Sequence, residues 1–157
     1  MSEASGNGES TESIEFKKAV KDRDTRAIIK LAGGGANGVN ISAAIMHFLV
    51  YITKGDVSSI YSDKLICNDY IPTFSSDNDL FMLAKDLNAG RAYINNIVNL
   101  QITFKEQQGN NLVFRVKFNL GGSVSDDSPI KTDQDYEFDF YMLMENGNWK
   151  IAGIRKG

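Results

Sequence analysis

The strongest constraint on the fold is an alternation of apolar and polar side chains in the second half of the chain. Apolar residues occupy every second position over residues 98–104, 112–120 and 136–145. A period of two is that of a β-strand with one buried and one exposed face, so three long strands are predicted. A fourth strand, residues 149–154, follows Asn146-Gly147, which is the strongest short hairpin signal. The core face of the first strand is predicted to carry Val98, Leu100, Ile102 and Phe104.

The first half carries helical signals. Apolar residues near helical spacing predict an amphipathic helix over residues 12–32, capped by Thr11 or Ser13. Residues 15–30 hold six basic and three acidic side chains, which predicts a solvated basic face. The alternative is a docking surface for an acidic partner or a membrane.

A second helix is predicted over residues 41–54, with Asn40 as its cap. Because this segment is apolar almost all round, it is predicted to be the central buried helix. A short helix should follow Asp56, and another should follow Asp77, whereas Pro72 is predicted to lie in a loop. Helices followed by a meander of strands predict an α+β fold, with the helices packed on one face of a curved antiparallel sheet.

A glycine-rich segment, residues 33–38, formally fits the dinucleotide pattern G-x-G-x-x-G. That mechanism needs a preceding strand, and here a basic helix precedes the glycines. No G-K-[ST] sequence is present, so the segment is not a P-loop. It is predicted to be a hinge between two helices, with no cofactor.

The chain of 157 residues is long enough for one domain. Residues 1–11 are predicted to be a disordered tether, residues 12–39 an additional helix with its hinge, and residues 40–157 the main domain. No apolar stretch resembles a signal peptide or a transmembrane helix. The location stays open, with an extracytoplasmic domain anchored upstream of residue 1 slightly favoured over a cytoplasmic one.

Charge and composition exclude several functions. The net charge is −3, from 17 basic and 20 acidic residues, which argues against a nucleic-acid partner. One cysteine and one histidine leave neither an internal disulfide nor a Cys- or His-rich metal centre. The acidic segment 121–139 lacks the spacing of a calcium loop and is predicted to be solvated.

Three residues carry chemistry in principle, but the plainer interpretation is favoured for each. His47 is predicted to be a satisfied core or boundary residue, because no carboxylate stands at a spacing that would make it a base. Cys67 is predicted to be a small buried residue. Asp139 alternates with Phe138 and Phe140, so it should point away from the core. No residue is assigned a catalytic role, and no metal or cofactor is expected.

The order of elements resembles the NTF2-like superfamily, also described as the cystatin-like cone. The resemblance rests on helix 41–54 followed by Thr53-Lys-Gly-Asp56, and on the closing hairpin Asn146-Gly-Asn-Trp-Lys-Ile-Ala-Gly-Ile154. It covers residues 40–154 and implies a cone-shaped sheet around a pocket, often in a dimer. The side chains that would line the pocket are His47, Tyr51, Phe114, Phe118, Phe138, Phe140 and Trp149.

Two functions follow from this resemblance. The first is a non-catalytic binding or assembly domain, similar to extracytoplasmic VirB8/TcpC-type components of conjugation or secretion machines or to small lipoproteins, with a protein partner or self-association. The alternative is a small-molecule enzyme of the SnoaL or ketosteroid-isomerase kind, acting on an apolar ligand in the cone. A cone filled by its own aromatic side chains would remove the alternative.

Overall fold

The computed structural model describes residues 13–77, 79–90, 92–124, 126, 131, 132 and 134–157. Six helices precede four strands within this part of the chain. The helices are α1 (Ile14–Asp22), α2 (Thr25–Ala32), α3 (Ile41–Thr53), α4 (Val57–Ser62), α5 (Ile71–Asp77) and α6 (Asp79–Asn88). The strands are β1 (Ala92–Gln108), β2 (Asn111–Val124), β3 (Tyr136–Glu145) and β4 (Asn148–Lys156).

The four strands form one antiparallel sheet in the order β1-β2-β3-β4, so the predicted α+β class and the predicted meander are confirmed. The β3–β4 turn has Asn146 at φ 54° and Gly147 at φ 81°. Two positive φ values are what a type I′ hairpin turn requires, and they explain the Asn-Gly pair. On the far side of β4, Ile66 pairs with Ile151 through a single parallel bridge.

Bulges bend the first strand. The register between β1 and β2 shifts three times, between Ile94 and Asn96, between Val98 and Gln101, and between Phe104 and Glu106. Each shift adds one residue to β1, which increases the local bend and twist of the sheet. The second bulge puts Val98 opposite Asn119, on the polar face of β2, whereas Ile97 lies opposite Leu120. The prediction that Val98 belongs to the core face is therefore wrong, because the alternation changes phase at Asn99.

The predicted helix 12–32 is two helices. Arg23 has a left-handed backbone, with φ 52°, and ends α1, while the Asp24 side chain accepts a hydrogen bond from Ala27 N–H and begins α2. Ser13 caps α1 by accepting from Phe16 N–H, and the other proposed cap, Thr11, lies outside the described residues. This break lets both short helices turn an apolar side towards the same core.

Other helix boundaries agree with the capping signals in part. Asn40 and Asp56 accept hydrogen bonds at the starts of α3 and α4, as predicted. Pro72 was expected in a loop but occupies the second position of α5. Proline is tolerated in a first helical turn, because the N–H group it lacks would have no partner inside the helix.

The core lies between the helices and one face of the sheet. Phe48 of α3 packs edge-to-face on Phe140 of β3, with ring centroids 5.7 Å apart. Phe16 of α1 and Ile28 of α2 are fully buried in the same cluster. The helical part of the predicted addition, α1 and α2, therefore packs into the same core as the sheet. No helix in the described ranges is both long and apolar enough to cross a membrane.

Two predictions fall largely outside what can be described. The tether, residues 1–11, lies outside the described residues. The acidic segment is described only in part, because residues 125, 127–130 and 133 lie outside the described residues.

Candidate functional site

The four phenylalanines predicted to line a pocket lie in the packed interior instead. Phe114, Phe118, Phe138 and Phe140 are each at most 1% exposed. Phe118 and Phe138 stack with centroids 6.1 Å apart, and Phe114 contacts Phe104 edge-to-face at 5.5 Å. Burying a large apolar side chain stabilises a fold by about 1.5–3 kcal/mol. These rings therefore fill the concave side of the sheet, which corrects their assignment as pocket-lining residues.

Helix α3 is not buried on all sides. Met46 and Val50 are 48% and 44% exposed, and His47 between them is exposed as well. Because i and i+4 positions share a helix face, these residues form one solvent-facing stripe. The predicted central helix is therefore buried on one side and exposed on the other. His47 lies on the exposed side and not in the core or at its boundary.

His47 and Trp149 do line a depression, of about 500 Å³, at the end of the molecule where the β3–β4 turn lies. Its walls come from α3, the loop before it, the turn after α4 and the start of β4. The lining residues are Asn37, Val39, Ala44, His47, Asp63, Lys64, Leu65, Asn146, Asn148, Trp149 and Lys150. We call this depression the hairpin pocket. Tyr51 was also predicted to line a pocket. It is half-buried beside the hairpin pocket, and its hydroxyl contacts Asp63.

Both signs of charge meet in the hairpin pocket. Lys150 is 4% exposed, and its Nζ lies 3.3 Å from Glu145 Oε1. A buried ammonium group needs such a partner, because desolvation of an unpaired charge is costly. The Tyr51 hydroxyl donates to Asp63 Oδ2 at 2.5 Å, and this bond raises the pKa of Tyr51. The pocket can therefore bind a small polar group through charges and amides, but it is not an apolar cavity.

The glycine-rich segment forms one wall of this region. Ala36 N–H donates to Gly147 O at 2.6 Å, and the Trp149 indole N–H donates to Gly33 O at 3.0 Å. Gly35, at φ 71°, comes so close that an added Cβ would lie 2.8 Å from Gly147 O. The segment is thus fixed to the β3–β4 hairpin rather than being a hinge, which corrects that prediction.

The outer face of the sheet, which faces away from the helices, holds a buried carboxylate. Asp139 lies there, as predicted, but it is 5% exposed rather than solvated. Its Oδ2 lies 2.6 Å from Lys105 Nζ and its Oδ1 lies 3.1 Å from Arg115 Nε. Burial alone would raise the pKa of Asp139, but the hydrogen bonds and charges of Lys105 and Arg115 outweigh burial and lower it. Asp139 is therefore an ionised anchor for two cations.

Cys67 is buried, as predicted, and burial raises its pKa to about 11. A thiol with that pKa is protonated at neutral pH and is a poor nucleophile. Within the described residues, no group of three or more His, Cys, Asp or Glu side chains could hold a metal ion.

Several residues of these surfaces were missed by sequence reasoning. Asp63, Asn148 and Lys150 of the hairpin pocket carry no local pattern, because the fold brings them together from separate elements. The pairing of Asp139 with Arg115 could have been found, since β2 and β3 were predicted neighbours and the two residues are directly opposite in register.

No protein-family model matches the chain, and no curated protein matches it. Among solved structures, the chain is similar to an NTF2-like protein from Cytophaga hutchinsonii. The identity is 13%, the similarity covers 74% of this chain and 95% of that chain, and the TM-score is 0.46.

Proposed function

We propose that this chain is a non-catalytic binding and assembly domain that works through its outer surface. In its specific form it is a component of a conjugation or secretion machine similar to VirB8, or a small lipoprotein domain, and it self-associates or binds a protein partner. The sequence resemblance supports the specific form, and the structure of the interior supports the general one.

The observation that carries the proposal is the filled interior. Phe48, Phe114 and Phe140 are fully buried where a cone-type site would bind an apolar ring compound. Ligand sites of that kind have volumes of roughly 300–1,000 Å³ and are lined by apolar groups. The hairpin pocket has the volume, but it is polar and lies at the surface.

The alternative, an isomerase-like enzyme, is the weaker proposal for the same reason. Its acid would be Asp139, and that carboxylate lies on the outer face of the sheet, bonded to Lys105 and Arg115. A catalytic carboxylate in such sites faces the apolar cavity, so that its pKa and its distance to the substrate suit proton transfer.

Ligand uptake tests the absence of an interior site. Trp149 is the chain's one tryptophan, so its fluorescence can be followed while the protein is titrated with a neutral steroid, with calorimetry as an independent readout. We expect no saturable binding. Saturable binding at micromolar concentration would overturn the proposal and support the alternative.

Light scattering tests self-association. The protein is passed through a size-exclusion column at concentrations from about 5 μM to about 500 μM, because assembly depends on concentration. We expect the measured mass to rise above the 17.4 kDa of one chain. A mass that stays at one chain throughout would remove the self-associating form of the proposal.

A further inference from the structure

A basic groove runs across the outer face of the sheet and along the edge of β1. It consists of two adjoining depressions, of about 520 and 640 Å³, which share Arg23 and Phe104 as lining residues. The ionisable side chains that line them are Lys21, Arg23, Lys105, Arg115, Lys117, Glu106 and Glu137. Five are cationic and two are acidic, whereas the whole chain has a net charge of −3. Asp139 pairs with Lys105 and Arg115, and Asp135 pairs with Lys117. With these two carboxylates counted, the groove keeps an excess of one positive charge on an acidic protein.

The two cations at the centre of this groove are fixed by a buried carboxylate. Asp139 bonds both Lys105 and Arg115, and its side chain is only 7% exposed. A ligand on the outer face would meet the two cations and not the carboxylate beneath them. Fixing the cations before binding reduces the side-chain entropy that binding costs.

Arg23 supports the assignment independently. It has a left-handed backbone at the end of α1, where glycine is favoured and other residues are strained. Within the described residues, no carboxylate lies within ion-pair distance of Arg23 or Lys21, whereas Lys18 on the same helix pairs with Asp22. Arg23, which has no ion-pair partner among the described residues, thus lies at the junction of the two depressions, at a position where a residue other than glycine lowers stability.

The edge of β1 offers backbone groups beside these charges. β1 is the first strand of the described sheet and has a neighbouring strand on one side only. Thr25 Oγ1 accepts from Phe104 N–H at 2.8 Å on the free side. Beyond it, in the described part of the chain, no other element bonds the backbone of residues 106–108 on that side. Such an edge can pair with an extended peptide, which adds a strand to the sheet.

We propose that the basic groove binds an acidic, extended peptide segment of a partner protein along the edge of β1 at residues 106–108. The proposal rests on the proposed binding function and names the chemistry of its partner. A peptide fits better than a phosphate-rich polymer, because Glu106 and Glu137 interrupt the cations and would repel a continuous row of phosphates.

The test measures fluorescence anisotropy of a labelled ten-residue peptide of alternating Thr and Glu with the full chain. A Thr-Lys peptide of the same length is the charge control, and a backbone N-methylated Thr-Glu peptide is the edge-pairing control. We expect binding of the Thr-Glu peptide alone, with an affinity that falls as NaCl is raised from about 0.05 M to about 0.5 M. Equal binding of the N-methylated peptide would overturn the edge-pairing proposal.

Two variants locate the site. Arg23→Gly combined with Lys117→Gln should weaken peptide binding by about tenfold, since two groove charges are lost. Glycine at position 23 relaxes the backbone, so this variant should fold. Lys64→Gly is the matched control, because Lys64 is also a cation with a left-handed backbone, at φ 57°, but lies outside the groove. We expect its affinity for the peptide to stay within about twofold of the wild type.

Three further outcomes would overturn the proposal: no binding of the Thr-Glu peptide, an equal loss in Lys64→Gly, or tighter binding of pyrophosphate or of vesicles rich in anionic lipid. None of them changes the steroid titration or the light-scattering result. Failure of the peptide proposal is therefore distinguishable from failure of the binding function.

Discussion

At the scale of single residues, Asp139 is the clearest case in which burial and charge oppose each other. Its lowered pKa means that the ionised form of the Asp139 side chain is more stable, relative to the protonated form, in the folded chain than in the unfolded chain. We expect Asp139→Asn to lower the free energy of unfolding at pH 7 by about 1–3 kcal/mol, because Lys105 and Arg115 lose their shared acceptor. Urea unfolding measures this loss. Glu137→Gln is the control, since its 3.8 Å pair with Arg115 is half-exposed and should contribute only about 0–1 kcal/mol.

The pH dependence of the ion pairs that Asp139 makes with Lys105 and Arg115 follows from the lowered pKa of Asp139. A carboxylate with a lowered folded pKa stabilises the fold fully above its unfolded pKa of about 3.9. Its contribution is lost as the pH falls through the folded value. The difference in stability between wild type and Asp139→Asn should therefore be constant near neutral pH and shrink below about pH 4. A difference that persists unchanged to pH 2 would contradict the ion-pair account.

Phe140 tests the filled interior. It is fully buried and contacts Phe48 at 5.7 Å, so Phe140→Ala leaves a cavity between α3 and the sheet. We expect the free energy of unfolding to fall by about 3–5 kcal/mol in urea titrations. Tyr93→Ala, at a residue 65% exposed, should change it by less than about 0.5 kcal/mol. A cost at Phe140 as small as that at Tyr93 would mean that the interior is loosely packed.

At the scale of elements, the glycine-rich segment requires glycine at position 35 because of a close backbone contact, and not only because of a positive φ. Gly35→Ala and Gly38→Ala both place a side chain at a positive φ, but only position 35 faces Gly147 O at 2.8 Å. Thermal unfolding should therefore show Gly35→Ala to be the less stable by at least about 1 kcal/mol. Trp149 emission should also shift in Gly35→Ala, because the indole bonds Gly33 O. Equal stability of the two variants would indicate a turn that is not fixed to the hairpin.

The strands were predictable from sequence because the two-residue period is a local property of the chain. Which side chains face the core was not predictable where a bulge shifts that period. Alternation located β2 and β3 and chose the inward face of Phe114 and Phe138 correctly, and the Asn-Gly pair located β4. It failed at Val98, because a bulge is decided by pairing with β2 and carries no signal in β1 alone. Apolar composition almost all round predicted that α3 is the central buried helix. One side of α3 is buried, but the neighbouring elements leave Met46 and Val50 exposed.

At the scale of the whole molecule, the sequence predicted an added helix beside a main domain, whereas the fold packs both into one core. The glycine-rich segment looked like a boundary, so residues before it were treated as an addition. The hairpin pocket was missed for a related reason: it joins residues up to 113 positions apart in sequence, Asn37 and Lys150 among them. Local patterns identify elements, whereas contacts at that separation depend on how the elements pack.

We therefore expect the helices and the sheet, including α1, to unfold as one cooperative unit. Phe16→Ala removes a ring that is fully buried in the common core, so we expect a loss of about 3–5 kcal/mol. Far-UV circular dichroism and Trp149 fluorescence should move together to lower urea concentration, although Trp149 lies on β4 and not on α1. Ile14→Ala, two residues earlier and 87% exposed, is the control and should change little. An early loss of helical signal in Phe16→Ala with an unchanged Trp149 transition would instead show that α1 and α2 unfold separately.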